Sequence, residues 1–203
     1  MSKTKIAIQG ELGAYSHIAA ESLYKEAEIK TCATFEETFK YAYNDQNFKI
    51  VIPIENSLAG RVADIHYLLP KYKLQIHGEH FQTVEHNLLC KREASIDDIK
   101  FVRSHAQAIG QCQNMINKRK FKPIISADTA GSAKDLAEGE DKSIAAIASE
   151  LSAKIYNLKI LEKNIEDEKG NVTRFLIMGK NIEQPEFSKN KKFITSCIFR
   201  VKS

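Results

Sequence analysis

The chain has 203 residues, 43% of them hydrophobic and 28% charged, a composition of ordinary globular material sufficient for one sizeable core or two small lobes. Its 30 basic against 26 acidic residues leave a formal net charge of +4 spread along the chain, so nothing demands a nucleic-acid partner. No apolar stretch approaches the length of a membrane span and none follows a positive start, which points to a cytoplasmic protein without a membrane partner.

Short apolar runs alternate with stretches of helical period, the pattern of an α/β fold with largely parallel strands. KIAIQG at 5–10 predicts a buried strand ending in glycine, followed by a helix over 16–26 with Ser16 as its cap. A short strand near 30–33 and a helix across 35–43 form a second unit. IVIPIENS is the next strand, and its polar carboxyl end lies where open α/β sheets bind ligands. A helix is expected from Ser57, with Leu58, Val62, Ile65 and Leu69 on one face.

Beyond an extended segment at 74–90, three strand and helix pairs follow. They are IKFVRS with a helix from Ala106, KPIISA with a helix over 130–137, and SIAAIAS with a helix over 149–156. These residues read as an inserted lobe. KILEKNIE and TRFLIMG are expected to return to the first lobe and leave a cleft between the two. Residues 181–192 turn polar around Pro185 and read as a linker, after which FITSCIFRV alternates like a strand.

Five polar segments share one form, being short, rich in small residues and placed at a strand end or helix start: GELGAYSHIAA at 10–20, PIENSLAG at 53–60, SHAQAIGQC at 104–112, DTAGSAK at 128–134 and NVTRF at 171–175. In NVTRF a hydroxyl and a guanidinium stand side by side. Thr173 can share a proton and Arg174 can fork onto a carboxylate, a pair suited to an anionic substrate that must lose an oxygen. Each segment alone also has a plain reading as turn and cap. The cysteines Cys32, Cys90, Cys112 and Cys197 form no metal-ligand spacing with the six histidines, so buried reduced thiols and no metal are expected. The histidines make no triad, and His105 alone adjoins a site segment.

Together and in this order the five segments resemble the prephenate dehydratase family, over about residues 5–178. The resemblance implies a two-lobed domain over 1–180 like a type 2 periplasmic binding protein, with lobe 1 about 1–77 and 160–180, lobe 2 about 78–159, and the active site in the cleft. It makes 181–192 a linker and 193–203 the first strand of a truncated ACT-like regulatory domain, no chorismate mutase segment being expected ahead of the domain. The full-length form is expected to be a homo-oligomer, a dimer or tetramer. The activity implied is the decarboxylating dehydration of prephenate to phenylpyruvate in phenylalanine biosynthesis. Its product is aromatic, so no cofactor is needed. Arogenate dehydratase and a non-catalytic binder of small anions stay open beside it.

The catalytic set that the resemblance indicates is Thr173, Glu55, Asn56, Ser104 and Gln111, with roles following from side-chain chemistry. Thr173 delivers a proton to the leaving hydroxyl. Glu55 is a proton source if a closed cleft raises its pKa, or else a helix cap. Asn56 holds the hydroxyl or a carboxylate oxygen. Ser104 caps a helix or touches the ligand, and Gln111 reaches that ligand if its helix flanks the cleft. Arg174 orients a carboxylate, and Phe175 packs in the core or against the ligand. Helix starts expose backbone N–H groups to anions, so Gly13, Ala14, Ser16, Thr129, Ala130, Gly131 and Ser132 form a candidate substrate cradle. Tyr15, Ser57 and Asn171, within the same segments, complete the substrate-binding set.

Overall fold

The computed structural model describes residues 3–180, 188–190 and 192. Strand β1 (Lys5–Gln9) buries Ile6, Ala7 and Ile8 completely, because β2 (Glu28–Cys32) and β3 (Phe48–Asn56) pair with it in parallel and helices cover both its faces. Alternate residues along a strand point to opposite faces. Ile6 and Ile8 accordingly meet Ala19 and Ala20 of α1 (Tyr15–Leu23), and Ala7 meets the cluster of Phe39 and Ala42 from α2 (Phe35–Asn44). Thr34 caps α2 by accepting from the Glu37 N–H at 3.1 Å.

After β3 the chain makes a short hairpin strand, β4 (Gly60–Arg61), then α3 (Ala63–Tyr72) and β5 (Gln75–Thr83). It next builds a second sheet from β6 (Asn87–Cys90), β7 (Phe101–His105), β8 (Lys122–Ser126), β9 (Ile144–Ala148) and β10 (Lys159–Glu162). Between these strands lie α4 (Ala106–Gly110), α5 (Gln113–Arg119), α6 (Thr129–Glu138) and α7 (Glu150–Ile155). Finally β11 (Val172–Gly179) returns and inserts between β3 and β5, antiparallel to both. The first sheet therefore runs β2-β1-β3-β11-β5 with β4 on β3, and the second runs β10-β6-β9-β7-β8.

Several expectations need correction. The sheets are mixed rather than largely parallel, since β11 runs against its neighbours and β6 against β9. A lobe boundary near residue 77 would cut β5, which pairs with β11 as far as Thr83, so the crossing falls at 84–86. KILE at 159–162 belongs to the second sheet, paired with β6, and the return crossing is 163–171. No helix starts at Ser57: the Asn56 side chain takes the N–H groups of Leu58 and Ala59 and turns the chain into β4. Ser16 lies inside α1 rather than capping it, its hydroxyl donating to the Gln9 carbonyl. The linker and regulatory strand expected at 181–203 lie outside the described residues apart from 188–190 and 192. Among the described residues no helix is long and apolar enough to cross a membrane.

The Phe39 side chain is fully buried against Tyr72, with ring centroids 5.6 Å apart. Phe39→Ala is expected to cost about 3–5 kcal/mol through lost burial and a residual cavity, read as a lower urea midpoint at unchanged m-value.

Candidate active site

A cleft of about 520 Å³ lies between the two sheets. Its first-lobe wall comes from Gln9, Pro53, Asn56 and Thr173, the hairpin supplies Arg61, and the opposite wall holds His105, Gln107, Gln111 and Thr129. Residues 84–86, the outgoing crossing, contribute Val84 and His86, and the return crossing contributes Asn171. The lobes also touch beside the cleft. The Ser149 and Ser152 hydroxyls both donate to the Gly13 carbonyl, at 2.6 and 3.1 Å. Gly13 has φ +91°, and a Cβ there would stand 2.4 Å from the Ser152 hydroxyl, so both backbone shape and space demand glycine.

At the centre of the cleft, amides converge. The Asn56 Nδ2 donates to the Thr173 Oγ1 at 2.9 Å and to the Asn171 Oδ1 at 2.6 Å. The Asn171 Nδ2 in turn donates to the Gln111 Oε1 at 2.9 Å, and the His86 Nε2 lies 2.9 Å from that same oxygen. Strand register explains the first contacts, because Thr173 of β11 sits directly opposite Asn56 of β3. Five residues are thus linked by hydrogen bonds between the β3 end, the outgoing crossing, the turn after α4, and the return crossing with the start of β11.

Asn56, Gln111, Asn171 and Thr173, expected from the sequence, meet here, and Tyr15 lines the same cleft with its hydroxyl donating to the Glu85 carbonyl at 2.5 Å. Glu55 does not join them: it precedes Asn56 on the strand, points the other way and is exposed. Ser104 is fully buried and donates to the Ile147 carbonyl at 2.7 Å, tying β7 to β9 instead of meeting a ligand. Arg174 is turned away from the cleft. Its guanidinium reaches the Glu79 Oε2 at 2.6 and 2.8 Å over the Phe81 ring. Phe175 belongs wholly to the core against Ile6, Ile8 and Val51.

The backbone cradle is also largely spoken for. Gly13 and Ala14 use their N–H groups on the His17 Nδ1 and the Glu11 carbonyl. Asp128 caps α6 by accepting from the Gly131 N–H at 2.6 Å, the Ser132 hydroxyl donates to the Asp128 carbonyl, and Ala130 is fully buried, so of the four cradle residues expected there Thr129 lines the cleft, beside Asp128. Ser57 is exposed and braces the return crossing, its Oγ accepting from the Val172 N–H at 2.9 Å. His86, His105, Gln107 and Arg61 line the cleft although none was placed in the site from sequence. The signal for His86 in the sequence is weak, a single polar residue just ahead of the apolar run of β6.

His86 is only 3% exposed, and burial lowers its pKa, opposed by its hydrogen bond to Gln111 and by Glu166. Cys112, just behind Gln111, is buried and its thiol is pushed well up, so it stays a neutral packing group. Among the described residues no group of three or more His, Cys, Asp or Glu gathers as a metal site.

Two sheets joined by two crossings, with a cleft between them, define a two-lobed α/β protein of the periplasmic-binding-protein type, here with an amide-lined cleft. The prephenate dehydratase signature matches residues 6–183, and the chain belongs to that family. It is 39% identical to an arogenate dehydratase/prephenate dehydratase 2 of Arabidopsis thaliana, over 98% of this chain and 51% of the relative, so it spans about half of that protein. It is 37% identical to a bifunctional N-acyl-homoserine lactone acylase/prephenate dehydratase of Komagataeibacter europaeus, over 97% of this chain and 69% of the relative. Among solved structures, a prephenate dehydratase of Staphylococcus aureus superposes with a TM-score of 0.75 at 29% identity, covering 92% of this chain and 69% of that one.

The lowered pKa of His86 fixes the sign of a pH effect. The unfolded chain takes up a proton near the ordinary histidine value, about 6.5, before the buried imidazole does, so stability falls as pH drops through that value. His86→Gln is expected to flatten the loss of urea stability between pH 7.5 and 5, the remaining slope coming from His17 and His77, whose pKa values burial also lowers. An unchanged slope would show that the His86 imidazole takes up its proton over the same pH range in the folded and the unfolded chain.

Proposed function

We propose that this cleft converts prephenate to phenylpyruvate, expelling the ring hydroxyl as water and the ring carboxylate as carbon dioxide. The observation that carries the reading is the state of the Thr173 hydroxyl. Its oxygen accepts from the Asn56 Nδ2 at 2.9 Å, which leaves its own proton to point into the cleft. Thr173 is 8% exposed and pinned by the β3 and β11 register, so the donor is preorganised instead of having to be gathered by the substrate.

In the reaction the bond from ring carbon to carboxylate breaks, and its electron pair enters the ring. The bond from the opposite ring carbon to the hydroxyl oxygen breaks at the same time, and the departing oxygen takes a proton from Thr173, which recovers one from water. A free hydroxide is a poor leaving group at neutral pH, so this proton delivery is where the protein can act most. The two carboxylates of prephenate have opposite needs. The one that departs loses its charge, and a cation fixed on it would stabilise the ground state and slow the reaction. The side-chain carboxylate keeps its charge throughout and gains from a cation.

Among the described residues Arg61 is the only lysine or arginine lining the cleft, and it makes no ion pair. Arg61 therefore holds the side-chain carboxylate, the part first assigned to Arg174. Arogenate is the second substrate to consider, favoured by the joint name of the plant relative. It carries an amino group where prephenate has its keto group, remote from the ring that reacts.

Incubating the purified chain with prephenate and following phenylpyruvate absorbance tests the assignment, and no product from either prephenate or arogenate would overturn it. Thr173→Ala is expected to lower kcat by roughly two to four decades, with Thr173→Ser retaining more. Arg61→Gln is expected to raise KM roughly tenfold or more through loss of a charge-assisted contact. Arg174→Gln, by contrast, should leave KM near wild type while lowering the thermal midpoint, because its partner is Glu79.

A further inference from the structure

His86 lies outside all five site segments, yet its imidazole ends the chain of amides that leads to Thr173. Resting on the dehydratase reading, we propose that His86 is a positioning residue: by donating to Gln111 it locks the last link of this hydrogen-bonded chain, so that the free N–H and O–H groups of the site all face the substrate.

The direction is set at the far end by backbone groups that cannot be reversed. The N–H groups of Leu58 and Ala59 both point at the Asn56 Oδ1, at 3.0 and 2.8 Å, and a rotated carboxamide would oppose donor to donor at both. The Asn56 Nδ2 must then face Asn171 and Thr173. With its Oδ1 accepting from Asn56, Asn171 can offer Gln111 only its Nδ2, and so Gln111 receives that bond on Oε1. The same Oε1 lies 2.9 Å from the His86 Nε2, which must therefore carry a proton.

On the other side of the ring, the Nδ1 stands 3.3 Å from the Tyr15 hydroxyl, whose single proton is shared with the Glu85 carbonyl at 2.5 Å. The charged group packed nearest is Glu166, which accepts from the His86 backbone N–H at 3.0 Å. Glu85 and Asp167 flank the same crossing strands, and the Asp167 N–H donates to the Gln111 carbonyl at 2.7 Å.

Two kinds of donor are left over. Among the described residues the Gln111 Nε2 has no protein partner, and Thr173 keeps its hydroxyl proton. Both belong to residues that line the cleft, which suits a ligand rich in acceptor oxygens. Without the second donor from His86, only the bond from the Asn171 Nδ2 opposes a turned Gln111 carboxamide, which would present its carbonyl oxygen to a carboxylate, acceptor against acceptor. His86 sits on the outgoing crossing and Gln111 on the second lobe, so the bond between them also ties the crossing to that lobe.

The full chain with ¹⁵N-labelled histidine provides the first test. The His86 ring signals, assigned by their loss in His86→Gln, are expected to show the neutral form protonated on Nε2, and a proton on Nδ1 alone overturns the proposal. Kinetics with prephenate provide the second. His86→Leu removes the donor and should lower kcat on the order of tenfold with a smaller change in KM. His86→Gln, which can return an N–H near the Nε2 position, should restore most of that loss. A folded His86→Leu variant that turns over like wild type, or a folded His86→Gln variant as slow as His86→Leu, overturns the positioning role. The tautomer is read without turnover, so an inactive wild-type chain that shows the Nε2 proton counts against the dehydratase reading and leaves the direction of the chain standing.

Discussion

The Asn56 carboxamide is the joint on which the site depends. Its oxygen ends β3 by accepting two backbone N–H groups, which turns the chain into β4 and carries Arg61 to the cleft. Its nitrogen reaches across to Asn171 and Thr173 on the returning chain, more than a hundred residues later in sequence. One side chain thereby shapes the turn, orients the proton-bearing hydroxyl and starts the amide chain that runs to His86. An aspartate of the same shape would keep the turn but set acceptor against acceptor at Asn171 and remove the donor that orients the Thr173 hydroxyl.

Around Thr173 the cleft presents neutral dipoles, with Arg61 on the hairpin as its cation. Asn56, Asn171, Gln111 and Thr173 do not titrate in the ordinary pH range, and burial keeps His86 toward its neutral form. Among the described residues the one carboxylate lining the cleft, Asp128, is engaged as a helix cap. In the proposed reaction, fixed dipoles would need no reorganisation as the leaving oxygen develops charge, and would leave the departing carboxylate free of a stabilising cation.

Much of the fold was legible because the apolar runs are short, buried on both faces and separated by capped helices, as at Ile6 to Ile8 and Ile144 to Ala148. Which strands pair was not legible. The insertion of β11 between β3 and β5 depends on contacts between distant segments that no local period encodes. In the candidate site, segment spacing identified the correct neighbourhoods but not the faces. Glu55 and Asn56 are adjacent, as are Thr173 and Arg174, and strand geometry sends one of each pair into the cleft and the other away. Ser104 looked like a ligand residue because a hydroxyl at a strand end serves equally well as a tie to the next strand. His86 was passed over since a single histidine before an apolar run carries no spacing, and only the assembled crossing places it beside Gln111.

The position of β11 also governs the order in which the protein can form. The first sheet has a gap between β3 and β5 that only residues 172–179 can fill, and all of the second sheet lies between those partners in the chain. On a ribosome, β3 emerges with one long edge unpaired and waits while the entire second lobe is made. That lobe has its own apolar clusters around Leu88, Val102 and Ile147 and around Leu89, Ala146 and Leu158, so it can condense before the first lobe closes. Its collapse shortens the loop that must be drawn together for β11 to dock. The inserted lobe acts in this way as the clasp for the sheet that it interrupts, and the cleft between the lobes is the last part of the molecule to form.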